Sequence, residues 1–93
     1  MIVTFKSKEA ELIWNGVLSK KLPPHLQEII RRKLRMINNS FSINDLRIPP
    51  SNHLEQLNGE RKGQYSIRIN DQWRICFEWS DGNVYNVDIV DYH

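Results

Sequence analysis

Tyr65-Ser66-Ile67-Arg68-Ile69 and Trp73-Arg74-Ile75-Cys76-Phe77-Glu78-Trp79, joined by Asn70-Asp71-Gln72, alternate apolar and polar side chains throughout. Period-two alternation is the mark of a strand with one face on a core and the other toward solvent. For both apolar sets to share a face the connecting loop needs an odd number of residues, and Asn70-Asp71-Gln72 provides that, with Ile69 opposite Trp73. This register puts Arg68 directly beside Arg74. Like charges facing one another across a sheet are unfavourable by a few tenths of a kcal/mol or more. The arginine pair therefore reads as a surface facing phosphate.

A turn at Ser80-Asp81-Gly82 then leads into a third strand, Val84 to Val90. It is expected to put Tyr85, Val87 and Ile89 on the core side, and Asn86 and Asp88 on the arginine side. In that register Asp88 lies across from Arg74, and the plainer reading of Arg74 is a cross-strand ion pair worth about 0–1 kcal/mol if exposed. Tyr92 falls by alternation on the side of Arg68 and Arg74. The sequence runs out at Asp91-Tyr92-His93, which gathers a phenol, an imidazole and a carboxylate at one strand end. Imidazole is well matched to moving protons near neutral pH, and a phenol can donate, accept or stack.

Upstream, Phe41 to Ser51 reads as an irregular crossover that sends Ile43, Leu46 and Ile48 into the core, with Pro49-Pro50 holding the chain extended. Before it, Pro23-Pro24 opens a helix in which Leu26, Ile29, Ile30, Leu34 and Ile37 recur at helical spacing, and Asn38-Asn39-Ser40 closes it. Ser7 caps a shorter helix through Glu9, Glu11, Leu12 and Ile13, ended by Asn15-Gly16. Met1 to Lys6 reads as a short strand. The expected fold class is α+β, with two N-terminal helices packed on a small twisted antiparallel sheet, in the order β-α-α-β-β-β-β.

With 93 residues, 40% hydrophobic and 26% charged, the chain is expected to form a single folded domain over 1–93. Met1 to Lys6 is too short an apolar block for a secretory leader, so the expectation is a cytoplasmic protein with no membrane segment. One cysteine and three scattered histidines do not make a metal-ligand set, and no cofactor is called for. Net charge is only +2, but its distribution is uneven. Residues 20–35 set Lys20, Lys21, Arg31, Arg32, Lys33 and Arg35 against Glu28, and residues 61–74 set Arg61, Lys62, Arg68 and Arg74 against Asp71. From Cys76 onward there are four carboxylates and no Lys or Arg. A polyanion would meet the first two regions and avoid the third; the bland alternative for the helical cluster is a solvated face.

The run Gly59-Glu60-Arg61-Lys62-Gly63-Gln64 entering the hairpin, closed by Val87-Asp88-Ile89-Val90-Asp91-Tyr92-His93, resembles the HigB-type toxins (plasmid maintenance killer family) of the RelE/ParE superfamily. The resemblance spans the chain and is densest over residues 54–93. It implies a RelE-like fold and a toxin of a type II toxin–antitoxin system. It further implies a ribosome-dependent endoribonuclease that cuts translated mRNA without a metal, through the ribose 2′-hydroxyl. The implied partners are a helix-turn-helix antitoxin of HigA type, the ribosome with its mRNA, and operator DNA only through the antitoxin complex. By resemblance Arg74 stabilises the phosphate, His93 handles a proton and Tyr92 stacks on or orients the nucleotide. Arg61, Lys62 and Arg68 would hold RNA backbone.

One departure bears on rate. Better-known members carry a His and a Lys just before the glycine turn, where this sequence has Glu55 and Asn58. His53 lies close and is a candidate substitute, though two residues out of place, His25 beside the diproline is a weaker one, and a slow or mild nuclease is expected. Two rivals are a ParE-type protein that inhibits DNA gyrase, and an inert interaction module whose basic helix receives an acidic segment.

Overall fold

The computed structural model of the chain describes residues 1–92. Helix α1 (Lys8–Trp14) begins where extended Ser7 accepts the Ala10 amide on its hydroxyl at 3.2 Å, and ends at Asn15 ahead of left-handed Gly16. Helix α2 (Pro24–Asn39) starts on proline, whose missing N–H lies where a helix has no internal acceptor for it. Its stripe behaves as the spacing predicts: Leu26, Ile30, Leu34 and Ile37 are buried, with Ile29 at the margin. Gln27, also buried, accepts from the Ser19 amide at 2.8 Å and donates to the carbonyls of Ser19 and Leu22, tying the interhelical loop down.

Four antiparallel strands follow, β1 (Glu55–Gln56), β2 (Gln64–Arg68), β3 (Trp73–Ser80) and β4 (Asn83–Asp91), in the spatial order β1-β2-β3-β4. One face buries Ile67, Ile69, Ile75, Phe77, Val84 and Val87 against Ala10 and Ile13 of α1 and the stripe of α2. The α+β class, with two helices on a small antiparallel sheet, is as expected. The segment ahead of α1 does not form a continuous strand. It runs parallel to β4 through two separate bridges, Ile2 to Val84 and Phe5 to Val87.

Three further expectations change. The β3–β4 turn has two residues, not three: Ser80 pairs with Asn83 around Asp81 and Gly82, both at positive φ, the conformation that matches strand twist. Left-handed Asn86 then inserts an extra residue opposite β3 between Cys76 and Glu78, and Thr4 fills the gap by accepting the Asn86 amide on its hydroxyl at 2.8 Å. Turn and bulge together move Val84 into the core, put Tyr85 beside Glu78 on the opposite face, and restore Ile89 opposite Ile75. Asp88 consequently pairs with Cys76, and Arg74 faces Val90, so the expected Arg74–Asp88 contact does not form.

The third change is in the crossover. It holds two 3-10 turns, Ile43–Arg47 and Pro50–Asn52; Ile43 and Leu46, three residues apart, share a face, whereas Ile48 falls off it and is 74% exposed. Pro49 is extended as read, while Pro50 opens the second turn.

Candidate functional site

The sheet face away from the helices is far from a plain solvated surface. In register across it stand Glu55, Ser66, Cys76 and Asp88, one from each strand, with Arg68, Arg74 and Val90 in the next row. Ser66 and Cys76 are fully buried and Arg74 nearly so, at 8% exposed. Two small side chains in neighbouring strands leave room for Arg74 to be buried against Ser66.

Arg74 is fixed from three directions. Its Nε donates to the Ser66 hydroxyl at 2.8 Å, and its Nη2 donates to the carbonyls of His53 at 2.5 Å and Ser66 at 3.3 Å. Of the five guanidinium N–H groups this leaves the Nη1 pair, which faces Glu55 Oε1 at 3.9 Å. The Tyr92 ring centroid lies 5.8 Å from Arg74 Cζ, within range of a cation–π contact. The expected approach of Tyr92 to Arg74 is thus present. His93 lies outside the described residues.

Arg61, from the 3-10 turn Gly59–Arg61, donates to Gln64 Oε1 on β2 at 3.1 Å and pairs with Asp88 on β4 at 3.7 Å, so its guanidinium bridges over β3. Beneath it burial pushes the Cys76 thiol up, and the nearby Arg61 only partly offsets this. Cys76 is therefore a protonated floor residue at neutral pH. Burial, and then Cys76, likewise hold the Tyr92 phenol above its ordinary range despite Arg74 and Arg61. Arg68 does stand beside Arg74 in register, but it pairs with Asp71 in the turn. Each arginine has its own partner, which relieves the pair's repulsion without any phosphate. Lys62 and Asn58 are exposed; His25 is on the surface, remote in sequence from every contact of Arg74.

Sequence reasoning missed Ser66, the His53 carbonyl and the burial of Arg74. The signal was the pairing of small Ser66 with small Cys76 on the face bearing the arginines. His53 itself sits in the left-handed region at φ 43°, with its side chain exposed and its carbonyl doing the holding. His53→Gly should therefore keep Arg74 in place and activity within about twofold. Relief of a conformation that disfavours non-glycine residues, about 1–2 kcal/mol, roughly offsets glycine's entropic penalty of about 0.5–1. Unfolding in denaturant should shift by less than about 1 kcal/mol. Lost activity in a folded variant would instead give the imidazole a role.

The chain matches the family profile described as RelE-like toxin of type II toxin-antitoxin system HigB over residues 4–93. It is 38% identical over 87 residues to Toxin HigB-1 of Vibrio cholerae, covering 92% of each chain, and 30% identical over 93 residues to Endoribonuclease HigB of Proteus vulgaris, covering both completely. Its fold matches the toxin–antitoxin complex YoeB-YefM from Staphylococcus aureus with TM-score 0.64 at 19% identity, covering 100% of this chain and 98% of that one. Helices, sheet and sequence over nearly the whole length agree, and the chain belongs to the HigB-type, RelE-like toxins of type II toxin–antitoxin systems.

Proposed function

We propose that the arginine face is the active site of an endoribonuclease acting on translated mRNA in the ribosome, by attack of a ribose 2′-hydroxyl on the adjacent phosphorus. The carrying observation is Arg74, a guanidinium immobilised by three hydrogen bonds that leave Nη1 out, with the Tyr92 ring centroid 5.8 Å from its Cζ. In this reaction the 2′-oxygen bonds to phosphorus as its proton goes to a base, the 5′-oxygen leaves with a proton from an acid, and charge builds on the phosphorane oxygens. A cation already fixed in place meets that charge with little reorganisation, which is the largest lever a metal-independent site has. A relative named an endoribonuclease supports the reading.

Arg74 stabilises the phosphorane and His93 carries a proton. Tyr92, held as the neutral phenol, stacks on or hydrogen-bonds the nucleotide rather than acting as a phenolate base. Arg61, Lys62 and Arg68 hold RNA backbone. The chain works in the cytoplasm, is neutralised by a helix-turn-helix antitoxin of HigA type and reaches operator DNA only with it; a structural neighbour solved as a toxin–antitoxin complex supports an antitoxin partner. With Glu55 and Asn58 in place of His and Lys, cleavage is slow.

Tyr92 provides the direct test. Base–aromatic stacking is worth about 1–3 kcal/mol, so Tyr92→Ala should slow cleavage of mRNA on programmed ribosomes by about 5- to 150-fold. Tyr92→Phe, which keeps the ring, should lose under about tenfold. Equal losses in the two variants would shift the role from ring to hydroxyl, and no loss in either would remove Tyr92 from the site.

A further inference from the structure

The loop that holds Arg74 holds a second cation. His53 gives its carbonyl to Arg74, and its neighbour Asn52 gives Oδ1 to the ammonium of Lys33 on α2. Asn52 is completely buried, and its Nδ2 is committed to the Leu46 carbonyl at 3.1 Å and Met36 Sδ at 3.1 Å. Its Oδ1 is therefore a fixed post. The 3-10 turn Pro50–Asn52 packs on β2, the strand of Arg68, and Arg68 stands in direct register with Arg74.

Among the described residues the two arginines face carboxylates, Glu55 at 3.9 Å for Arg74 and Asp71 for Arg68, whereas the partner that holds Lys33 is a neutral amide. Burial, then Arg32, then Arg68 push the Lys33 amine below the usual lysine range, so both arginines act on it. The Asp71 side chain paired with Arg68 is 99% exposed, and such a surface pair is weak and readily exchanged. A fold that seats a lysine on a buried amide, among arginines, has prepared a place for an anion. The neighbouring phosphates of a nucleic-acid strand supply several anions in a row.

We propose that Arg74, Arg68 and Lys33 form a track for the backbone of single-stranded RNA, which leaves the scissile phosphate at Arg74, passes Arg68 and reaches α2 at Lys33. This rests on the nuclease reading, and it assigns α2, otherwise a solvated basic helix, to substrate binding.

The purified chain is titrated with a short labelled RNA whose riboses are 2′-O-methylated, so that it binds without being cut, over a range of salt. Each phosphate contact on a single strand contributes about 0.7 to the slope of log affinity against log salt. Lys33→Gln should lower the slope by about that amount and weaken binding several-fold, while Lys33→Arg restores both; on programmed ribosomes Lys33→Gln should raise KM and leave kcat. An unchanged slope in folded Lys33→Gln overturns the track. So does an unchanged slope with weakened antitoxin binding, which would give Lys33 to an acidic protein segment. The nuclease reading is separable: cleavage by the unsubstituted chain with an unchanged Lys33→Gln slope removes only the track. RNA binding that responds to Lys33→Gln in a chain unable to cut keeps the track and removes the chemistry.

Discussion

Arg74→Lys is expected to lower the rate of mRNA cleavage by about 10²- to 10³-fold, the range seen when one preorganised donor to a developing oxyanion is removed. Lysine keeps the charge but not the fork. The guanidinium reaches the Ser66 hydroxyl and the His53 and Ser66 carbonyls together and still has Nη1 outside those bonds, facing Glu55 at 3.9 Å. An ammonium, with one nitrogen, serves either the anchors or the phosphate. Arg74→Leu should lose the same activity and also destabilise the fold by about 1–3 kcal/mol, because it leaves acceptors on a buried floor without their donor. Unfolding midpoints separate the two effects, since the lysine variant should stay near the parent. If growth arrest survives Arg74→Lys and mRNA remains whole, the chain acts by binding a protein target, as a ParE-type gyrase inhibitor would.

Arg74 also shows how far the sequence carries. Its strand, its face and its neighbour Arg68 follow from alternation and an odd loop, because apolar burial fixes register so firmly that a one-residue slip would expose Ile67, Ile75 and Phe77. The caps at Ser7 and Pro24 follow from local hydrogen bonding and the fixed φ of proline. What lies beyond such reasoning depends on departures from regularity. Asp81-Gly82 is itself a two-residue turn signal, but without a bulge that turn would set Asp88 opposite Ile75 on the core face and turn Val87 away from it. The bulge is set by Asn86, a residue that tolerates positive φ but does not announce it. Burial of Arg74 was hidden for another reason. It depends on the small size of Ser66 and Cys76 and on a carbonyl from the left-handed turn at His53, and a polar alternation pattern reports neither.

Glu55→His combined with Asn58→Lys should accelerate cleavage by about 10- to 10²-fold. Two causes add. Glu55 now faces Arg74 Nη1 at 3.9 Å, and the carboxylate offsets part of the field meant for the phosphorane. A unit-charge pair at that distance is worth about 1 kcal/mol with water-like screening and about 4 at an effective dielectric near 20. The Glu55 side chain is 55% exposed, which favours the lower figure, so releasing the charge alone yields up to about tenfold. The remainder comes from a base matched to neutral pH, since positioned acid–base groups contribute about 10²–10⁴-fold and a carboxylate is a weaker proton acceptor than imidazole. Glu55→Gln isolates the first cause and should speed cleavage modestly without changing its pH dependence. The histidine variant should gain a limb rising with pH near about 6.5, where the imidazole loses its proton and can accept another. A tenfold or greater loss in Glu55→Gln would reverse the assignment and make Glu55 the residue that takes the 2′-hydroxyl proton.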